Sequence, residues 1–305
     1  MNFKHFIYLI ALVAISGKSN AQNITLHYDD EYMQDFFNST LKVCLVGDAK
    51  YDAAIKEAVQ NNWTLTKFEF INNMDLKDKK VIQDKASSFL VPLSLSNLGD
   101  AHLTPNLVYQ WKMLNDNRWL SILPGGRKSV LDYRDYNIIV YSPFDNFNLE
   151  SNILQCSYRL GLMIKSMEDA IIISRDKKIK GAPFNVLRDV LSQINLKAYV
   201  LKSKTLLVNE NLLKNKNEKG KFAITDEILK TYKFKYKIVS QQEIETAIKS
   251  KDKESCYFCP VFSGGKDIYI YNLENMEVIY GTYEMKGTTV DNGDISKLNQ
   301  AISSN

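Results

Sequence analysis

The chain reads as an α/β protein of two similar halves, each a mixed sheet with parallel strand-helix-strand units and an antiparallel edge. Short apolar runs rich in β-branched residues alternate with segments of helical spacing from residue 41 onward. The order strand, helix, strand, helix, strand occurs twice, beginning near residues 41 and 204. An offset of 168 brings the second occurrence onto the first without a gap. It sets Lys67 on Lys235, Phe68 on Tyr236, Phe70 on Ile238, Ile71 on Val239, Leu76 on Ile244, Asp84 on Asp252, Lys85 on Lys253, Phe89 on Tyr257 and Pro92 on Pro260. Shared strand and helix rules produce part of such a match, and identities are few. The ungapped register nonetheless favours an internal duplication.

In the first half, LKVCLVGD at 41–48 is a strand ending at Gly47-Asp48. KYDAAIKEAVQNN follows as a helix, since Ala54, Ile55, Ala58 and Val59 recur at helical spacing. In TKFEFIN, Phe68 and Phe70 alternate with polar neighbours, so a second strand closes a right-handed parallel crossover. LKDKKVIQDKA is a charged helix and SSFLVPLSLS a third strand. NLVYQWKML, RWLSIL and YNIIVYSPF extend the sheet antiparallel. A helix from about 149 to 167 closes this half, with Ile153, Cys156, Leu160, Met163 and Met167 on one stripe and Cys156 as a core thiol.

The connecting segment contains VLRDVLSQI, an amphipathic helix carrying Val186, Val190, Leu191 and Ile194. In the second half KTLLVNENLL supplies a strand, TDEILKTY a short helix that Thr225 caps, FKYKIVS a strand and QQEIETAIKSK a helix. ESCYFCPVFS, KDIYIYNL and EVIYGTYEM are strands, and Ile295, Leu298 and Ile302 share one face of a last helix. The expected organisation is a signal peptide over 1–21, a first α/β domain over 22–168, a connecting helical segment over 169–203 and a second α/β domain over 204–305.

The start, MNFKHFIYLIALVAISGKSNAQ, has Lys4 and His5 before an apolar run and small residues before Gln22. That is the pattern of a secretory signal, and the run is shorter than the ~20 residues that cross a bilayer. Export to a periplasmic or extracellular space, with cleavage near Ala21 and no membrane span, is the expectation. Removal of Lys4 and Lys18 with the signal takes the formal charge from +4 to +2. Lysines are scattered among acids, so no nucleic-acid partner is expected. The densest basic stretch, KNKNEKGK at 214–221, reads as a solvated loop. Sequons at Asn23, Asn38 and Asn62 matter only in a eukaryotic source.

Only His27 and His102 survive in the mature chain, and neither sits at a metal-ligand spacing. No metal site and no cofactor are expected. Cys256 and Cys259 stand at C-x-x-C spacing but inside a strand, with Pro260 opposing a helix behind them. Residues three apart on a strand face opposite ways, so the pair is not a redox centre. The glycine pairs in PGGRK and SGGKD precede strands and read as hairpin turns, and Asp29, Asp30 and Glu31 as a solvated turn without the glycine of a calcium loop.

This scarcity of catalytic chemistry, beside a repeated frame with an interface between lobes, leads to an exported, non-catalytic binding or interaction protein for an unknown small molecule or protein. The candidate ligand residues are those at the carboxyl ends of the parallel strands: Gly47, Asp48, Asn72, Asn73, Asn209, Ser240 and Gln241. Two other classes stay open at this point. One is an exported carboxylate-dependent hydrolase using Asp48; the other is a structural subunit of a cell-envelope assembly.

Overall fold

The structure is a computed structural model. It describes residues 30–72, 75, 78–94, 118–124, 140–143, 157–179, 183–214, 221–262, 266–284 and 287–304. Residues 1–29, NLVYQWKML, both glycine pairs, most of KNKNEKGK, His102, Cys156, Asn73 and Leu76 lie outside the described residues.

Alternation along β1 (Thr40–Leu45) separates two apolar faces: Leu41 and Val43 enter a large central core, whereas Cys44 joins Phe89, Val91 and Ile82 on the other side. At its carboxyl end Gly47 takes a left-handed φ of +81°, which a glycine adopts without a Cβ clash. Asp48 then caps α2 (Ala49–Asn62), accepting from the Lys50 and Tyr51 amides. The helix buries Ala54, Ile55, Ala58 and Val59, the stripe read from the sequence, and Tyr51 beside them. β2 (Lys67–Asn72) returns parallel to β1, α3 (Lys79–Ile82) is a single turn, and β3 (Ser87–Ser94) pairs parallel on the other side of β1. β4 (Arg118–Pro124) and β5 (Val140–Pro143) add the antiparallel edge, giving the order β2-β1-β3-β4-β5.

The second sheet is built from β6 (Thr205–Asn209), β7 (Tyr236–Val239), β8 (Ser255–Val261), β9 (Lys266–Asn272) and β10 (Glu277–Glu284), in the order β10-β9-β8-β6-β7. β6 pairs parallel with β7 and β8, and β8, β9 and β10 are antiparallel. The chain is therefore a mixed α/β protein with two sheets. Among the described residues five helices contribute to the core between the sheets: α1 (Asp30–Asn38), α2, α4 (Ser157–Lys177), α5 (Pro183–Asn195) and α8 (Gln241–Lys249). The outer face of the second sheet packs against α6 (Asn211–Lys214), α7 (Asp226–Leu229), α9 (Asn292–Ser304) and a 3-10 turn at Ala198–Lys202. Thr225 caps α7, and Ser240 with Glu243 forms a capping box on α8.

Three details differ from the sequence reading. α4 continues ten residues past Met167, because Ala170 and Ile171 prolong its buried stripe and the charged Glu168 and Asp169 are buried against Lys165. Asp30 opens a helix, α1 (Asp30–Asn38), where a turn was read; acidic residues suit the positive end of a helix dipole. Asn62 is buried with its amide donating to the Ala58 carbonyl, so this sequon is closed to modification in the folded chain.

Candidate functional site

A cleft of about 330 Å³ opens where the two lobes meet. The first lobe contributes Glu57, Ala58, Asn61 and Asn62 from the carboxyl-terminal half of α2; α4 contributes Tyr158 and Gly161. The second lobe contributes Ile248, Lys249 and Lys251 from the end of α8, and Met276 from the β9–β10 turn. α2 and α8 start at the carboxyl ends of β1 and β7 and end at the opposite edge, so the cleft lies at the amino edge of the sheets. α4 and α2 touch closely there, since a Cβ on Gly161 would stand 2.8 Å from Asn62 Nδ2.

Charge in the cleft is divided between the lobes. Glu57 and Lys251 are exposed, and neither side chain has an ion pair or a hydrogen bond among the described residues. Lys249 is paired with Glu245 at 2.8 Å one turn back on α8. Lys251 follows the C-cap of α8 with φ of +52°, its amide bonding Ile248 O while the Asp252 amide bonds Ala247 O. This is a Schellman ending, in which glycine avoids the left-handed penalty. Lys178 closes α4 in the same way with φ of +51°, so a lysine at this position is a habit of the chain and not peculiar to the cleft.

The carboxyl-edge candidates fall elsewhere. Gly47 donates its amide to Asp52, Asp48 spends a carboxylate oxygen on capping α2, and exposed Asn72 donates its amide to Asp75. Ser240 caps α8. Asn209 is fully buried; its Nδ2 bonds Gln241 Oε1 and its Oδ1 accepts from the Asn211 amide. The structure thus brings Asn209 and Gln241 together and leaves Gly47, Asp48 and Asn72 with bonds inside their own lobe.

Beside Asn209 the same face of the second sheet carries Cys259, Tyr269 and Asp267, in register across β8 and β9. Asp267 is 1% exposed, and neither carboxyl oxygen has a hydrogen-bond partner among the described residues. Burial alone pushes its carboxyl well above the ordinary carboxylate range. On the opposite face, Lys266 is 2% exposed and bonds Asp294 at 2.6 Å, Glu284 at 2.9 Å and Asp291 at 3.1 Å, tying the hairpin to the start of α9. Neither arrangement announces itself in KDIYIYNL, which the sequence marks only as a strand following the SGGKD turn.

Cys44, Cys256 and Cys259 form no disulfide with one another. Cys256 lies in the outer core of the second lobe and Cys259 packs against the central core, so the two sulfurs face opposite sides of β8. Burial pushes the Cys44 and Cys256 thiols up to about 12, far from the range of a reactive thiolate. Among the described residues no group of acids, cysteines and histidines could hold a metal ion, and no helix is long and apolar enough to cross a membrane. No protein-family model, curated protein or solved structure matches the chain.

Proposed function

We propose that the chain is an exported binding protein that holds a small polar molecule between its lobes, in a periplasmic or extracellular space. The observation that supports this reading is the cleft: both lobes and the connecting α4 line it, and its rim mixes amides, opposite charges and the apolar Met276 and Ile248. A ligand seated there touches both lobes at once, so its binding energy bears on their relative position. The Asp48 carboxylate is committed to a helix cap, which leaves a carboxylate hydrolase without support from that residue. Protein purified from its own host, denatured and examined by mass spectrometry is expected to release a small molecule at near one equivalent. A library-wide thermal-shift screen with no responding compound, together with empty host-purified protein, would sink the proposal.

We further propose that the lobes descend from one duplicated unit of strand, helix, strand, helix and three strands, closed by α4 in the first copy and α9 in the second. Strand order supports this, and so does register: Leu41 faces Phe68 and Ser88 across β1, and Leu206 faces Tyr236 and Cys256 across β6. The first strands match at an offset of 165 and the later elements at 168, and bonding repeats at the second of these. Asp84 is held below the usual carboxylate range by hydrogen bonds from Ser87 and the Ala86 amide, and Asp252 by those from Ser255 and the Glu254 amide. Leu41 and Val43 nonetheless face the central core while Leu206 and Val208 face the outer one, so the copies stack in tandem and not about a two-fold axis. On this reading the polar Asn209 and Asp267 are features of one copy, since Cys44 and Trp119 take the matching places across the ladders.

A further inference from the structure

Resting on the reading of the inter-lobe cleft as a ligand site, we infer that its ligand is a small zwitterion carrying an ammonium and a carboxylate, the chemistry shared by a free amino acid and a short peptide. Glu57 and Lys251 line one cleft from different lobes, and each lacks a partner among the described residues. Lys249, the other cation on the wall, is already matched by Glu245. An anion alone meets Lys251 but also the like charge of Glu57; a cation alone meets the reverse. A molecule with both charges satisfies both walls, with each contact a charge-assisted hydrogen bond of the stronger kind. Asn61 adds an exposed amide able to donate or accept, and Ala58, Ile248 and Met276 offer an apolar flank for a side chain. The ligand then bridges the lobes through opposite charges, which gives the binding differential contact with both lobes at once.

The test uses the mature chain and isothermal titration with the L-amino acids and with di- and trialanine. Each binder is compared with its N-acetyl form, which lacks the ammonium, and its amide, which lacks the carboxylate. The free zwitterion is expected to bind, and each blocked form to bind about ten- to a hundredfold more weakly, the cost of one charged hydrogen bond. Glu57→Gln should abolish discrimination against the N-acetyl form, and Lys251→Met discrimination against the amide. Amino acids and peptides separate the two sources: weaker binding as the chain lengthens assigns the free amino acid. Binding of an N-acetyl form as tight as its parent, or no binding by any zwitterion, overturns the inference. A double-mutant cycle showing Glu57 and Lys251 coupled in ligand-free protein also overturns it, because the pair then serves each other. If singly charged or neutral compounds bind instead and Asn61→Trp, which fills the cleft, abolishes their binding, the ligand class is wrong while the binding-site reading stands. If nothing binds and host-purified protein is empty, both fail.

Discussion

Replacing Lys165 by methionine removes the cation that two buried carboxylates share on α4. Lys165 Nζ stands 2.9 Å from Glu168 Oε2 and 2.9 Å from Asp169 Oδ1. Glu168 uses its other oxygen to accept from the Thr64 amide and hydroxyl at the end of α2, at 2.6 and 2.8 Å, and Asp169 accepts from the Val278 amide of β10 at 3.3 Å. The ammonium thus neutralises two acids that tie α4 to each lobe. Glu168 and Asp169 side chains are 1% and 10% exposed, so without Lys165 they become neighbouring buried charges. Burial already holds the Asp169 carboxyl above its usual range, with the pull of Lys165 opposing it. Breaking a buried pair by removing one partner costs about 3–5 kcal/mol; the 23% exposure of Lys165 lets water in and sets the expectation near ~3 kcal/mol. With a urea slope of about 3 kcal/mol per molar, the unfolding midpoint should fall by about 1 M. Adding Glu168→Gln and Asp169→Asn removes the orphaned charges and should restore more than half of the loss. In the single variant, lowering the pH should also recover stability, because Asp169 takes up a proton more readily folded than unfolded and the folded state gains as pH drops toward the ordinary carboxyl range. A loss below ~1 kcal/mol, insensitive to pH, would show that these carboxylates are solvated and refute the reasoning.

Lys251→Gly and Lys178→Gly should each raise stability by about 0.5–1 kcal/mol in urea melts, by relieving a left-handed backbone at a helix end; only Lys251→Gly should weaken ligand binding. Asp267 binds its proton more tightly in the folded chain, so its favourable contribution is complete below the ordinary carboxyl value of 3.8 and is lost as pH rises above it. Asp267→Asn should flatten that slope, about 1.4 kcal/mol per pH unit in the titrating range, and an unchanged slope in pH-dependent melts would count against a buried, unpartnered carboxyl. Cys256→Ser with Cys259→Val should cost about 1–2 kcal/mol, with thiol-reagent labelling of the parent protein faster at Cys259 than at Cys44 or Cys256; a disulfide between 256 and 259 would contradict the opposite-face geometry. Mass spectrometry of protein from its native cell should find an N-terminus at or near Gln22, and soluble protein retaining Met1 would refute export.

Local pattern was enough to place β1 and α2, the capping by Thr225 and the opposed facing of Cys256 and Cys259. Each depends on periodicity or on bonds between residues three or four apart, and those relations are written in neighbouring letters. The matching turns of Asp84 and Asp252 also use partners two and three residues on, yet Asp84 was read inside the helix LKDKKVIQDKA, which forms only one turn at Lys79–Ile82. Charge was the poorest guide, because a letter does not carry its solvent exposure. Glu168, Asp169, Lys266 and Asp267 carry charges that pattern alone assigns to solvent, yet all four are buried. Their burial follows from partners about a hundred residues away for the first pair, and from the stacking of β9 between β8 and β10 for the second. The cleft is the clearest case. The sequence located strand ends and pointed to their carboxyl edge, where turn-forming residues gather for local reasons. Glu57, Asn61 and Lys249 are ordinary solvent-facing letters of two amphipathic helices, and Lys251 of the turn that ends the second. They share a site only because the central layer places the ends of α2 and α8 side by side, and that choice of sheet faces arises from packing between lobes, on which period and spacing within a lobe are silent.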